Sequence, residues 1–82
     1  MRVLVDGIAG ARLDPLDRGL QYGDGLFETM AWRSGRARLA ELHFERLELG
    51  CRRLGLPAPP RAALLDELRE AAGAGDATVK LI

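Results

Sequence analysis

Short hydrophobic segments separated by turn-forming residues occupy the first half of the chain. Residues 3–5 are apolar and lead into Asp6 and Gly7, a pair that is typical of a tight turn, so residues 8–13 are the predicted partner strand. The next segment, residues 17–25, contains three glycines among polar side chains and is predicted to be a loop. The pattern therefore indicates a hairpin followed by an irregular polar segment.

A second hairpin is predicted after this loop. Residues 26–33 alternate between two faces and include the strand-favouring types Phe, Thr and Trp. Ser34 and Gly35 indicate a turn, after which residues 37–40 would return alongside the first strand. The alternation places Leu26, Glu28, Met30 and Trp32 on one face of the strand, and Phe27, Thr29 and Ala31 on the other.

From residue 41 onward the apolar residues recur at spacings of three and four, which predicts helices. The first helix carries the apolar stripe Leu42, Phe44, Leu47, Cys51 and Leu54. Gly55 is its predicted C-terminal cap. A second helix follows Pro59 and Pro60, and residues 77–82 form a last strand. The predicted buried face of the second helix consists of Ala63, Leu64, Leu68 and Ala71.

The predicted order of elements is two strands, a loop, two strands, two helices and a strand. Such an order is typical of an α+β fold in which helices pack against an antiparallel sheet. Eighty-two residues are enough for one small domain, so residues 1–82 are predicted to form a single α+β domain.

Composition narrows the classes of protein to which the chain can belong. Hydrophobic residues make up 48% and charged residues 29%, as in an ordinary globular domain, and no apolar run is long enough to span a bilayer. Twelve basic and twelve acidic residues balance, which argues against a nucleic-acid partner. The N-terminal apolar run is too short for a signal peptide, so the expected location is the cytoplasm.

The single cysteine, Cys51, excludes an internal disulfide bond and cannot by itself form a cysteine-rich zinc site. No metal site is predicted. Because Cys51 lies in the apolar stripe of the first helix, we expect a small core residue there.

The polar segment from Asp17 to Thr29 is the first candidate for chemistry. Its glycines permit positive φ angles and close approach of the backbone to a ligand, although glycine-rich turns are also common in hairpins. No Gly-Lys-Ser/Thr sequence follows, so the segment is not a Walker loop. Gly23 and Gly25 precede a strand pattern and lack the third glycine of a dinucleotide fingerprint.

Arg46 and His43 lie three residues apart in the first predicted helix and therefore share roughly one face. A guanidinium group binds phosphate oxygens in a bidentate manner, so Arg46 is a candidate phosphate ligand. Considered alone, Arg46 also fits a solvated or ion-paired surface residue, and His43 also fits a structural one.

The sequence from Asp17 to Thr29, Asp-Arg-Gly-Leu-Gln-Tyr-Gly-Asp-Gly-Leu-Phe-Glu-Thr, is followed after a hairpin by His-Phe-Glu-Arg-Leu at residues 43–47. This combination resembles the N-terminal region of fold-type IV pyridoxal-phosphate enzymes, which comprise branched-chain aminotransferases, D-amino-acid aminotransferases and aminodeoxychorismate lyases. The resemblance covers essentially the whole chain. It implies the N-terminal domain of the D-amino-acid aminotransferase-like fold, with an antiparallel sheet and two helices.

The resemblance also implies pyridoxal 5′-phosphate as cofactor and a role for individual residues. Arg46 matches the arginine that holds the cofactor phosphate, and Phe27 and Thr29 match strand positions that face cofactor and substrate. In the lyases, a threonine at the Thr29 position is the expected proton donor to the departing pyruvate methylene. Thr29 therefore favours a lyase that forms 4-aminobenzoate and pyruvate for folate biosynthesis, although a strand threonine also has ordinary β-propensity.

Lys80 is the single lysine of the chain, but the resemblance places the Schiff-base lysine in a second domain beyond these residues. Lys80 instead matches a strand position on the substrate side, where relatives can carry a cation near substrate carboxylates. The resemblance implies that the full-length protein is a homodimer in which a second domain completes the cofactor site. Residues 1–82 alone are expected to be inactive.

Two other hypotheses fit the sequence. A D-amino-acid or branched-chain aminotransferase would share the fold and would turn over 2-oxo acids. A non-catalytic binding or assembly module would explain why the Schiff-base lysine is not among these residues.

Overall fold

A computed structural model describes residues 2–82, in which eight regular elements follow one another. In chain order they are β1 (Leu4–Val5), β2 (Ile8–Ala9), α1 (Arg18–Tyr22), β3 (Glu28–Arg33), β4 (Arg36–Ala37), α2 (Ala40–Leu54), α3 (Arg61–Ala72) and β5 (Ala77–Leu81). The strands are antiparallel, and the two long helices α2 and α3 follow one another between β4 and β5, so the predicted α+β fold is confirmed.

The central sheet has three strands in the order β4-β3-β5. Strand β3 pairs with β5 along most of its length, with Thr29 opposite Lys80 and Trp32 opposite Ala77. Strand β4 is short and pairs only with the end of β3. Strands β1 and β2 form a separate two-stranded sheet, joined by a turn in which Asp6 and Gly7 have φ angles of 51° and 76°. The two predicted hairpins are both present, but they do not join into one sheet.

One face of the central sheet packs against α2 and α3. The buried apolar residues form a single cluster made of Met30, Trp32, Phe44, Leu47, Cys51, Leu64, Leu68 and Val79. The two faces predicted for β3 are confirmed, and the structure shows that the face with Met30 and Trp32, each 2% exposed, is the buried one. Cys51 is buried in this cluster, as the helical stripe predicts.

The predicted polar loop contains one short helix that the sequence pattern did not predict. Helix α1 spans Arg18–Tyr22 and ends at Gly23. The preceding residues support its first turn, because the side chain of Asp14 accepts a hydrogen bond from the backbone of Leu16, and its carbonyl accepts one from Asp17. Local hydrogen bonds thus hold a helical turn where glycine content alone argued against one.

Helix α2 confirms the centre of the predicted apolar stripe but not its ends. Phe44, Leu47 and Cys51 are buried, whereas Leu42 and Leu54 are more than half exposed. Leu42 lies about 200° around the helix from Phe44, so it faces away from the sheet. Leu54 is the last residue before the predicted Gly55 cap, which is confirmed by its left-handed φ of 71° and by the bond from Leu56 N to Cys51 O.

Helix α3 follows the same pattern. Leu64 and Leu68 are buried and Ala71 is half-buried, as predicted, but Ala63 is exposed. Ala63 precedes Leu64 by about 100° of helix rotation, which carries it from the buried face to solvent. Over residues 2–82, no helix has the length and apolar content required to cross a membrane.

Candidate functional site

Strand β3 presents successive side chains to two different environments. Glu28 is buried against the helices, whereas Thr29 is exposed on the other face of the sheet. Phe27, the residue just before the strand, is 65% exposed. Because strand side chains alternate, the candidate site residues are divided between a helix-covered face and an open face.

Glu28 is the one charged residue that is buried within the described part of the chain, and its carboxylate is bound by two residues of α2. Arg46 donates hydrogen bonds from Nε to Oε1 and from Nη2 to Oε2, both at 2.7 Å. His43 Nδ1 lies 2.7 Å from Oε2. The predicted shared face of His43 and Arg46 is therefore confirmed, and we call these three residues the Glu28 cluster.

Hydrogen bonding determines the charge state of the Glu28 cluster. The pKa of Glu28 is lowered from 4.5 to about 2, chiefly by the hydrogen bonds from Arg46 and to a smaller extent by the bond from His43, against the opposing effect of burial. The carboxylate is therefore ionised near neutral pH and can only accept hydrogen bonds, so His43 Nδ1 carries the proton in their contact. Glu28 in turn raises the pKa of Arg46, which stays cationic.

Arg46 lies at a groove between α2 and the segment that leads into β3. The groove has a volume of about 300 Å³ and is lined by residues 25–28, 46–47 and 49–50 together with Arg53. The Arg46 side chain is 71% exposed, although the carboxylate that it binds is buried. Two arginines thus line one concave surface, which suits an anion such as a phosphate ester. A second concave surface of about 280 Å³ lies beside it, between Arg46, His43 and two leucines.

Gly50 brings α2 close to the segment before β3. A Cβ atom at this position would lie 2.8 Å from Cδ2 and 2.9 Å from Cδ1 of Leu26. Such contacts are shorter than van der Waals distance, so any larger residue would displace Leu26. The missing side chain at Gly50 therefore helps to set the position of residues 25–27 along the groove.

The open face of the sheet carries Phe27, Thr29 and Lys80. Lys80 pairs with Thr29 across the two strands, and its Nζ lies 4.8 Å from the centroid of the Phe27 ring. An ammonium group at this distance from an aromatic face is attracted to it. The structure thus brings together the three residues that the sequence indicated for substrate and proton transfer, and we call them the open-face group.

The polar side chains of the loop mainly contact one another. Arg18 Nη2 donates to Asp24 Oδ2 at 2.7 Å, and the Arg18 guanidinium lies 5.0 Å from the centroid of the Tyr22 ring. The side chain of Gln21 donates to the carbonyl of Pro15. These contacts hold the loop and α1 in shape. Over residues 2–82, no group of three or more His, Cys, Asp or Glu side chains could hold a metal ion.

Sequence reasoning did not select Glu28 as a site residue, although the signal was present. Glu28 lies on the same face of β3 as the apolar residues Met30 and Trp32, and this face is buried. A carboxylate on that face requires a partner, since burying an unpaired charge is costly. The partners lie 15 and 18 residues away in sequence, and the folded geometry is needed to identify them.

The Glu28 cluster, the open-face group and the central sheet with α2 and α3 fall within a segment that matches a known family. The profile of the family described as amino-transferase class IV matches residues 25–81, which is more than half of the chain, and the chain belongs to this family. The resemblance to fold-type IV enzymes that the sequence indicated is thereby confirmed.

Within this family the chain is similar to aminodeoxychorismate lyases. The aminodeoxychorismate lyase of Vibrio harveyi is 34% identical over 62 residues, which cover 76% of this chain and 23% of that protein. A bifunctional aminodeoxychorismate lyase / D-amino acid transaminase of Mycobacterium tuberculosis is 51% identical over 37 residues, which cover 45% of this chain and 13% of that protein.

A solved structure is similar over nearly all of the chain. The crystal structure of 4-amino-4-deoxychorismate lyase from Pseudomonas aeruginosa superposes with a TM-score of 0.78 at 55% sequence identity, covering 93% of this chain and 28% of that chain. The chain therefore spans about a quarter of the length of these lyases.

Proposed function

We propose that these residues belong to an aminodeoxychorismate lyase, which converts 4-amino-4-deoxychorismate to 4-aminobenzoate and pyruvate for folate biosynthesis. The observation that carries this proposal is the 55% identity to the Pseudomonas aeruginosa lyase over 93% of the chain. The lyase from Vibrio harveyi supports the same assignment.

Pyridoxal 5′-phosphate is the proposed cofactor. When bound, it supplies an electron sink for bonds next to the substrate amine. Arg46 would hold its phosphate, and Arg53 lines the same groove. A phosphate ester fits these donors, because guanidinium groups bind phosphate oxygens in a bidentate manner and Arg46 is largely exposed at the groove.

Thr29 is the proposed proton donor. Its hydroxyl would protonate the methylene carbon of the departing pyruvate, since an eliminated carbon must receive a proton. Lys80 lies opposite Thr29 on the neighbouring strand, so the hydroxyl and the ammonium group belong to the same face of the sheet. The position of Thr29 on the open face is compatible with this role.

Phe27 and Lys80 are the proposed substrate-binding residues. The Phe27 ring offers a flat apolar surface to the substrate ring, and the Lys80 ammonium offers a positive charge to substrate carboxylates. Their contact at 4.8 Å supports this proposal because it keeps both groups on the open face.

We further propose that residues 1–82 form the N-terminal domain of a two-domain, homodimeric enzyme of the cytoplasm, without nucleic-acid or membrane partners. The Schiff-base lysine would lie in the second domain, so residues 1–82 alone would have no turnover. The greater length of the lyase relatives supports this division.

A D-amino-acid transaminase is the second candidate. Its support is the bifunctional relative from Mycobacterium tuberculosis, which combines lyase and D-amino acid transaminase in its name and is 51% identical over 37 residues. The test is to supply 4-amino-4-deoxychorismate to the full-length protein without an amino acceptor. A lyase releases 4-aminobenzoate and pyruvate. Amino transfer from D-amino acids to 2-oxo acids without 4-aminobenzoate formation would contradict the lyase and support the transaminase.

The role of Thr29 has its own test in the full-length protein. Thr29→Ala is expected to lower kcat about 100-fold or more with cofactor affinity unchanged, because a positioned proton donor acts on turnover. Thr78→Ala is the matched control, since Thr78 is also exposed on β5 and pairs with Ala31. Thr29→Ser should restore part of the rate. Equal losses in Thr29→Ala and Thr78→Ala would count against a proton-donor role.

A further inference from the structure

The carboxylate of Glu28 occupies only one edge of the Arg46 guanidinium. It accepts hydrogen bonds from Nε and Nη2, and among the residues that the structure describes Arg46 Nη1 has no hydrogen-bond acceptor. A guanidinium group has a second bidentate edge, formed by Nη1 and Nη2. The contact with Glu28 therefore leaves available the edge that binds two oxygens of a phosphate ester.

Glu28 itself is firmly fixed. Its backbone is paired with Leu81 of β5, its side chain is 5% exposed, and His43 Nδ1 binds Oε2 at 2.7 Å. The Arg46 side chain has many rotamers in solvent, and 71% of it is exposed. A fixed carboxylate that binds both Nε and Nη2 restricts those rotamers to one orientation of the guanidinium plane.

We propose that Glu28 is a positioning residue that directs the Nη1–Nη2 edge of Arg46 toward the cofactor phosphate, with His43 holding the Glu28 carboxylate in place. The inference rests on the proposed function, because it requires Arg46 to be the phosphate ligand. Glu28 acts through Arg46 and does not contact the phosphate.

Whether Glu28→Gln tightens or weakens phosphate binding distinguishes a positioning role of Glu28 from an effect of its negative charge alone. Glu28 is an anion near the bound phosphate, so removing its charge should tighten phosphate binding if electrostatic repulsion were the main effect. Positioning predicts the reverse, since a glutamine presents an NH₂ group where Arg46 and His43 both need an acceptor. Glu28→Gln is therefore expected to weaken phosphate recognition.

The experiment uses the full-length apo-protein titrated with pyridoxal 5′-phosphate and, separately, with pyridoxal. The ratio of the two Kd values measures phosphate selectivity, and a general loss of stability leaves this ratio unchanged because it affects both ligands alike. Glu28→Gln is expected to lower the selectivity about tenfold. Glu28→Asp keeps the charge but shortens the side chain, and it should also lower the selectivity.

Two controls test whether the change in phosphate selectivity comes from the contact between Glu28 and Arg46. Glu48→Gln removes a carboxylate from another bidentate pair of the same helix, that with Arg61, and should leave the selectivity unchanged. In an Arg46→Ala background, Glu28→Gln should have no further effect on selectivity, because Glu28 acts only through Arg46.

Two results would overturn the inference, and they are distinguishable. If Arg46→Ala lowers the selectivity while Glu28→Gln and Glu28→Asp leave it unchanged or raise it, Arg46 binds the phosphate without help from Glu28. If Arg46→Ala itself leaves the selectivity unchanged, the proposed phosphate role of Arg46 fails together with the inference. Release of 4-aminobenzoate tests the lyase assignment independently of both results.

Discussion

Two carboxylate–guanidinium pairs join helix α2 to its neighbours, and they differ in how many nitrogens of the arginine donate to a carboxylate. In the Glu28 cluster the carboxylate receives bonds from Arg46 and His43, while Arg46 keeps an edge free. In the second pair Arg61 donates from Nε and Nη2 to Glu48 and from Nη1 to Glu41. We call these three residues the Arg61 cluster.

The exposures follow the same division. Glu28 is 5% exposed and its arginine 71%, whereas Arg61 and Glu48 are 36% and 28% exposed. Arg61 also lies 5.8 Å from the centroid of the Phe44 ring, which the core buries. Arg61, in which each of the three nitrogens donates to a carboxylate, joins α3 to α2, whereas Arg46 is held by Glu28 through two nitrogens and keeps Nη1 available to an outside anion.

The two clusters should differ most in the free energy of unfolding that is lost when the carboxylate of each is removed. Glu28→Ala is expected to lower the free energy of unfolding by about 2–3 kcal/mol, because Arg46 and His43 lose a buried acceptor and a gap remains beneath β3. Glu48→Ala should cost much less, since Arg61 keeps Glu41 and solvent as partners. Urea denaturation of the two variants measures the difference. Similar losses in both would contradict the distinction between them.

Lowering the pH should also weaken the Glu28 cluster more than the Arg61 cluster, and the loss in the free energy of unfolding should be comparable to that of Glu28→Ala. The folded pKa of Glu28 is about 2, below the ordinary 4.5, so its contribution is complete above about pH 4.5 and is lost as the pH falls toward about 2. That loss is on the order of 2–3 kcal/mol in the unmodified protein.

Glu28→Gln should remove most of this acid sensitivity. Glu48→Gln should retain it, although the hydrogen bonds from Arg61 also lower the pKa of Glu48, because that carboxylate is more exposed. Chemical denaturation at a series of pH values gives the profiles. A Glu28→Gln profile that matches the unmodified protein would show that the pKa of Glu28 is not lowered by folding.

A smaller effect on stability is expected from Gly50→Ala, which disturbs the groove without changing either cluster. Alanine improves helix propensity, but its Cβ would displace Leu26, so the opposing contributions should leave stability within about 1 kcal/mol. Cofactor affinity of the full-length protein should nevertheless fall, because residues 25–27 line the groove. Adding Leu26→Ala should restore part of that affinity. No change in affinity with Gly50→Ala would mean that the helix–loop contact does not shape the groove.

Much of the fold and part of the candidate site could be predicted from the sequence. The alternation of β3 correctly separated exposed Thr29 from buried Met30, and the Gly55 cap followed from its position after the helical pattern. These features depend on neighbouring residues, whose periodicity the sequence displays directly.

The features that could not be predicted depend on contacts between separate segments. The acceptor role of Glu28 requires α2 to pack against β3, and the charges of Arg18 and Asp24 meet only when α1 forms. The exposure of Leu42 depends on which helix face the sheet covers. The spacing of apolar residues indicates which face of a helix is the most hydrophobic, but tertiary packing decides whether residues at the edge of that face become buried.

The alternation of β3 also constrains where the chain can change in length. Met30 and Trp32 anchor the strand in the core, so inserting one residue between Glu28 and Met30 would turn Glu28 outward and away from Arg46. A single insertion would thus disconnect Arg46, the proposed phosphate ligand, from its support while leaving the core in place. Insertions among the exposed residues 12–17 carry no such penalty, and length variation among homologous proteins should be concentrated there.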